Sequence, residues 1–221
     1  MVRIKIAALA AAASVLLAAF AMLPAPAAPG AALERLAAGT PVASEGAVTY
    51  ALDAAHTSVA FRIRHMGVAY VPGRFTDFDG QVTFDPENLA ATQVRATVQV
   101  ASVNTAVAMR DDHLRSADFF EAETYPEMTF TSTGATPTGP NTFRLSGDLT
   151  IKGTTRPVTF EATAAGPIAD PRAGSRVGFH ATTTIDRRDF GITWGQTMPS
   201  GVPSVGHQVQ IILDVEGVPA R

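Results

Sequence analysis

The sequence predicts an all-β domain of eight antiparallel strands closed around one interior, with a single short helical plug. Three observations predict it. Apolar and polar residues alternate with period two through eight segments between Thr57 and Glu216. Each segment has one apolar and one polar face, whereas parallel strands are apolar on both. Turn formers separate the segments, as at Asp85-Pro86, Gly139-Pro140-Asn141 and Asp170-Pro171. Closed on themselves, eight such strands leave room for side chains or one elongated ligand; a two-sheet sandwich is the alternative.

The chain opens with a positive start, Arg3 and Lys5, an apolar run from Ile6 to Leu23, and small residues at Ala25 and Ala27. This is the anatomy of a signal peptide over residues 1–27, with the rest of the chain exported to the periplasm or beyond. An uncleaved anchor is the alternative, because the run approaches bilayer-spanning length. No cysteine follows it, so a lipoprotein anchor is excluded. Residues 28–48, rich in Ala, Pro and Gly, read as a flexible tether, and the folded domain is expected over 49–218.

The strands then follow in order. Val59, Phe61, Ile63 and His65 share the first apolar face. Gly80, Val82 and Phe84 belong to the second, and Val94, Ala96 and Val98 to the third. Met128 and Phe130 form the fourth. Phe143, Leu145, Gly147, Leu149 and Ile151 form the fifth, and Val158, Phe160, Ala162 and Ala164 the sixth. Val177, Phe179, Ala181, Thr183 and Ile185 make the seventh, and Val209, Ile211, Leu213 and Val215 the eighth. Many inward positions are Ala or Gly, and close-packed cores need volume. Either a tunnel runs through the interior, or neighbouring phenylalanines fill the gaps.

One connection, Met109 to Phe130, breaks this pattern with MRDDHLRSADFFEAETYPEMTF. Asn104 and Thr105 are good N-caps, and Ala106 to Leu114 reads as helix, with Asp111 and Arg115 at ion-pair spacing. Ser116 is expected to cap a second short turn through Phe120, and Pro126 hands the chain back to strand. The connection is therefore expected to be a plug across one mouth of the barrel.

Composition excludes several functions. Net charge is −3, with no clustered basic face for nucleic acid. With no cysteine there are no disulfides, thiolate nucleophiles or sulfur-ligated metals. The histidines are His56, His65, His113, His180 and His207, and none sits in an HxH or HExxH arrangement. Asp53 and His56 stand three apart, a spacing not expected to converge in a β-rich start. No GxSxG is present, and Asp112 and His113, adjacent on a helix, point about 100° apart. Neither a catalytic nor a metal site is expected.

The stretches YALDAAHTSVAFRIRHMG, GRFTDFDGQVTFD, ASVNTAVAMRDDHLRSADFFEAETYPEMTFTST, LSGDLTIKGTTRPVTF and IDRRDFGITWG resemble the YceI-like family across nearly all of Tyr50 to Val215. The resemblance implies an extended eight-stranded lipocalin-like barrel with a long apolar channel, in an exported protein associated with polyisoprenoid and other long-chain lipid binding. Two features depart from it. His207 stands where an acidic residue is expected, and GQTMPSGVPSVG is unusually rich in Pro and Gly.

On this footing, the ligand-binding candidates are Phe61, Ile63, Phe75, Phe130, Phe143, Phe179 and Phe190 as channel wall. His65, Arg110 and His113 are the candidate polar contacts. One of Phe119 and Phe120 should line the channel while the other packs the plug, because a helical turn cannot aim both inward. Trp194 is either a loop anchor or a lid at the mouth. Asp111 and Arg115 are read as a solvated, salt-bridged face, and Arg187 and Arg188 as partners of Asp186, Asp189 or the plug. His65 could instead be a hydrogen-bonded core histidine.

The leading function is binding of a long-chain amphiphile (polyisoprenoid, quinone-like or fatty-acyl) for transport, storage or sensing. No cofactor is expected beyond such a lipid. Expected partners are that lipid, a membrane surface in passing and a second copy of the chain, but no nucleic acid. The alternatives are a ligand-free structural or interaction barrel, and an enzyme acting on a lipid-like substrate.

Overall fold

The computed structural model describes residues 46–220. The expected signal peptide lies outside the described residues, as does the expected tether apart from 46–48.

Eleven strands form one sheet. They are β1 (Val48–Leu52), β2 (Ser58–His65), β3 (Ala69–Phe75), β4 (Phe78–Phe84), β5 (Gln93–Gln99), β6 (Val103–Asn104), β7 (Glu127–Pro137), β8 (Thr142–Ile151), β9 (Thr154–Asp170), β10 (Gly174–Asp186) and β11 (Val205–Pro219). All pairings are antiparallel. β1 bonds to β4 on one side and β11 on the other, so the sheet closes and the sandwich is excluded. β1 and β2 lie end to end along β11, with Leu52 opposite Gly217 and Ser58 opposite Asp214. β3 and β4 are separated only by Thr76 and Asp77, and β6 is two residues on the edge of β3. The wall therefore has eight staves, an extended antiparallel barrel of the lipocalin-like kind.

The alternation expected for β8 and β9 matches the buried faces. Phe143, Leu145, Leu149 and Ile151 on β8 are each at most 8% exposed. β1, β3 and β6 add to the eight expected segments. β3 carries Pro72 and Gly73, which weaken a strand signal. The structure tolerates Pro72 because β3 has β2 on one side and meets β6 only at Arg74 and Phe75, so Pro72 borders a free edge.

The helix α1 (Ala108–Arg115) starts two residues later than expected. Its N-cap is Val107, with no side-chain cap bond, so Asn104 and Thr105 are not caps. Asn104 Oδ1 accepts from the N–H of Ala106, whose φ of 62° turns the chain before the helix begins. Ser116 does not cap the next turn either, since its hydroxyl donates back to the His113 carbonyl at 2.8 Å.

Two apolar clusters fill the interior. One contains Tyr50, Phe84, Leu89, Phe143 and Val177; the other contains Phe75, Val103, Phe119, Phe190 and Ile192. Phe130, Val158 and Ile211 touch both.

Candidate functional site

Alternation along each strand sends every second side chain inward. In this barrel the inward sets do not fully close on one another. Between the two clusters lies a cavity of about 390 Å³ with an almost wholly apolar lining. Its wall includes Phe61, Ile63, Phe75, Phe130, Phe143, Phe179 and Phe190, together with Val205, Val209, Ile211, Leu213 and Val215 of β11. Paired rings hold much of that wall. Phe130 meets Phe160 edge-on at 5.4 Å, Phe84 meets Phe179 edge-on at 5.1 Å, and Phe61 meets Phe75 at 5.6 Å.

The small inward residues divide by type. Ala96, Ala162 and Ala181 line the cavity. The glycines are filled. A Cβ on Gly147 would lie 2.4 Å from Phe130 Cζ, and one on Gly73 would lie 2.3 Å from Phe61 Cζ. Space left by Gly73 and Gly147 is thus occupied by a neighbouring ring, while space beside Ala96, Ala162 and Ala181 stays open.

The plug covers one end. Phe119 and Phe120 both reach the cavity, contrary to the splay expected of a helical turn. Residues 117–120 form a turn rather than a helix, so the helical angle between successive side chains does not apply to the two rings. Phe120 packs edge-on against Phe75 at 5.8 Å. Phe119 is buried and touches the rings of both His113 and Trp194.

His113 and Trp194 are not among the lining residues. Their rings meet edge-on at 4.8 Å, and His113 Nε2 bonds Asp118 Oδ2 at 2.8 Å. They clasp α1 to the loop after β10 from outside. Arg110 lines the cavity, its Nε donating to Thr105 Oγ1 and its Nη2 to the Thr105 carbonyl. His65 also lines it, yet is exposed, which makes it a rim residue and not a buried core histidine.

The charged face expected for Asp111 and Arg115 is not formed. Asp111 is 7% exposed and accepts from the Thr105 N–H at 2.8 Å and hydroxyl at 2.6 Å, tying the helix to the segment before it. Arg115 pairs instead with Asp112 and donates to the carbonyls of Ala101 and Val103. Arg188 pairs with Asp186, whose carboxyl it holds down at about 2. The nearby His207 adds to that lowering in a smaller way.

Arg187 is the residue that sequence reasoning misplaced. It is 4% exposed, lines the cavity and, among the described residues, has no carboxylate within ion-pair distance. Its Nε donates to Gly206 O, its Nη1 to Ile192 O and its Nη2 to Val205 O. Burial pushes its guanidinium below the usual arginine range. The signal was present in the sequence. Val177, Phe179, Ala181, Thr183 and Ile185 set the inward parity, and Arg187 continues it.

Outside the barrel, Asp53 and His56 do converge, contrary to expectation. Asp53 starts a turn, accepting from the Ala55 N–H through its side chain, and this swings His56 Nδ1 to 2.9 Å from Asp53 Oδ2. Glu216 completes a trio with metal-ligand chemistry, but Arg176 Nη1 donates to both carboxylates and supplies the countercharge. The bond from His56, followed by that from Arg176, lowers Asp53 to about 2. Asp53 in turn raises the His56 imidazole.

Comparison with known proteins places this architecture. The family model of the YceI-like domain matches residues 50–217. The protein YceI of Escherichia coli is 42% identical over 183 residues, covering 82% of this chain and 90% of its own. Among solved structures, BcnA of Burkholderia cenocepacia superposes with a TM-score of 0.67 at 30% identity, covering 75% of this chain and 98% of its own. A polyisoprenoid binding domain from Saccharophagus degradans, implicated in plant cell wall breakdown, superposes with a TM-score of 0.61 at 16% identity, covering 78% of this chain and 99% of its own, and shares the fold.

Proposed function

The chain belongs to the YceI-like family, and from that premise we propose that it binds a long-chain amphiphile inside the barrel, without catalysis, as an exported carrier or store. The observation that carries this is the cavity itself: about 390 Å³ of apolar space between two packed clusters, kept open at Ala96, Ala162 and Ala181. An acyl or isoprenoid chain needs apolar contact and little else. Each buried CH₂ contributes about 0.8 kcal/mol, so a chain of about ten carbons offsets the cost of ordering it. The Saccharophagus domain, a polyisoprenoid binding domain, has the same fold, and that likeness supports the architecture of the channel more than the choice of ligand.

Two exposed apolar side chains support exchange with a bilayer. Val68 is 81% exposed at the turn after β2, beside the rim residue His65. Met109 is 82% exposed on α1, next to Arg110. Both sit on elements that border the cavity, where a lipid would enter or leave.

The test is mass spectrometry of an organic extract from the purified exported protein, followed by reloading of the delipidated protein with lipid vesicles. The expected result is one amphiphile per barrel in either sample. A protein that carries no lipid as purified and takes none from vesicles contradicts the proposal.

A further inference from the structure

The charged residues on the cavity wall all have one sign. Arg64, Arg95, Arg110 and Arg187 line it, and no Asp or Glu does among the described residues. This is unexpected in a chain whose net charge is −3. Arg64 and Arg95 are exposed and can be solvated. Arg110 and Arg187 are different. Among the described residues neither has a carboxylate within ion-pair distance. Arg110 is half-buried and, among the described residues, its side chain bonds the hydroxyl and carbonyl of Thr105. Arg187 is 4% exposed and bonds three carbonyls. A guanidinium carries five N–H donors, so part of its hydrogen-bonding capacity remains unused.

Both arginines belong to the same end of the barrel. Arg110 is on α1, whose His113 ring meets Trp194. Arg187 pins the carbonyl of Ile192, two residues before Trp194, and those of Val205 and Gly206 at the start of β11, where the same connection ends. Carbonyls satisfy donors but form no ion pair, and the Asp186 carboxylate whose field reaches Arg187 is already paired with Arg188. Burying a charge without a counterion is costly, and structures normally pair it. Salt-bridged arginines elsewhere in this protein, Arg176 and Arg188, show the usual arrangement.

We propose that the channel selects amphiphiles with an anionic head group, a carboxylate or a phosphate ester, seated against Arg187 and Arg110 at the plug end. This rests on the channel-binding proposal above and adds the chemistry of the head and its orientation. The apolar tail then runs toward the cluster of Tyr50, Phe84 and Phe143.

The test uses the delipidated full chain and three probes that share a tail: dodecanoate, dodecyl phosphate and dodecanol, titrated by calorimetry. At least one anion is expected to bind about tenfold or more tighter than the alcohol, the scale of one hydrogen bond to a charged group. Whichever anion is preferred separates a carboxylate from a phosphate site. Arg187→Met should erase that preference, weakening the anions about tenfold more than dodecanol, and Arg110→Met should reduce it. Should Arg187→Met fail to fold, Arg110→Met and the wild-type ratio decide the matter. Equal binding of all three probes to the wild type overturns the proposal. So does equal weakening of all three by the arginine variants, which would make Arg187 only a pin for the loop. Failure of every probe to bind would instead strike at the channel-binding proposal itself.

Discussion

The two ends of the barrel are both apolar, but only one of them holds a buried charge. At one end Tyr50, Phe84, Leu89, Phe143 and Val177 are each at most 7% exposed and form an apolar seal. At the other end an equally apolar cluster, with Phe119, Phe190 and Ile192, surrounds a buried arginine and a basic rim. The sealed end follows the ordinary rule that buried surface is apolar. The plug end breaks that rule at Arg187. Stability should therefore be concentrated at the first end and selectivity at the second, and substitutions can separate them.

The largest effect is expected at the sealed end. Phe84→Ala removes a ring that is 2% exposed and does not line the cavity, and should lower stability by about 3–5 kcal/mol, measured by urea unfolding. A loss below about 1 kcal/mol would mean that this end is no more tightly packed than the channel.

Next in size is the contrast between filled and open small residues. Gly147→Ala places a Cβ against Phe130 Cζ and within 2.6 Å of the Thr131 carbonyl. It should cost about 1–3 kcal/mol through overpacking. Ala162→Val, on the cavity wall, should cost less than this, because open space receives the added methyls. Thermal unfolding of the two variants side by side checks the ordering, and a reversed order would mean that the alanines are packed as tightly as the glycines.

The smallest effect is a pH dependence at the outer cluster around Arg176. Asp53 is depressed from 3.8 to about 2, so its contribution is complete above 3.8 and lost as pH falls through about 2. His56 is raised above 6.5, so its contribution is complete below 6.5 and lost as pH rises through its raised value. The cluster is thus most stabilising between about 3.8 and 6.5. His56→Gln should lower the melting temperature slightly at about pH 5 and leave it unchanged at about pH 9. An equal loss at both values would remove the ion pair from the account.

Much of this was readable in the sequence, for a physical reason. Period-two alternation reports which face meets the interior, and it placed the inward residues of β8, β9, β10 and β11 correctly. It failed where local turns override the period. Asp53 and His56 converge because Asp53 accepts from the Ala55 N–H, a contact that no alternation pattern encodes. Phe119 and Phe120 both reach the cavity because residues 117–120 form a turn and not a helix. β3 was obscured by Pro72 and Gly73, which its nearly free edge tolerates. The division between glycine and alanine was also hidden, since it depends on whether a ring on the adjoining strand leans across. Arg187 could have been found by extending the inward parity of β10 by one more step.

The measurement that tests the channel most directly is ligand stoichiometry in Ala181→Phe, with Ala96→Phe as its companion. Both residues line the cavity on different strands, and a new ring at either should occupy space the ligand needs. The account predicts that bound dodecanoate falls by about tenfold or more, a loss of about 1.4 kcal/mol or more, while circular dichroism and cooperative melting show an intact barrel. Undiminished binding to an intact Ala181→Phe barrel would contradict it, because the ligand would then lie elsewhere.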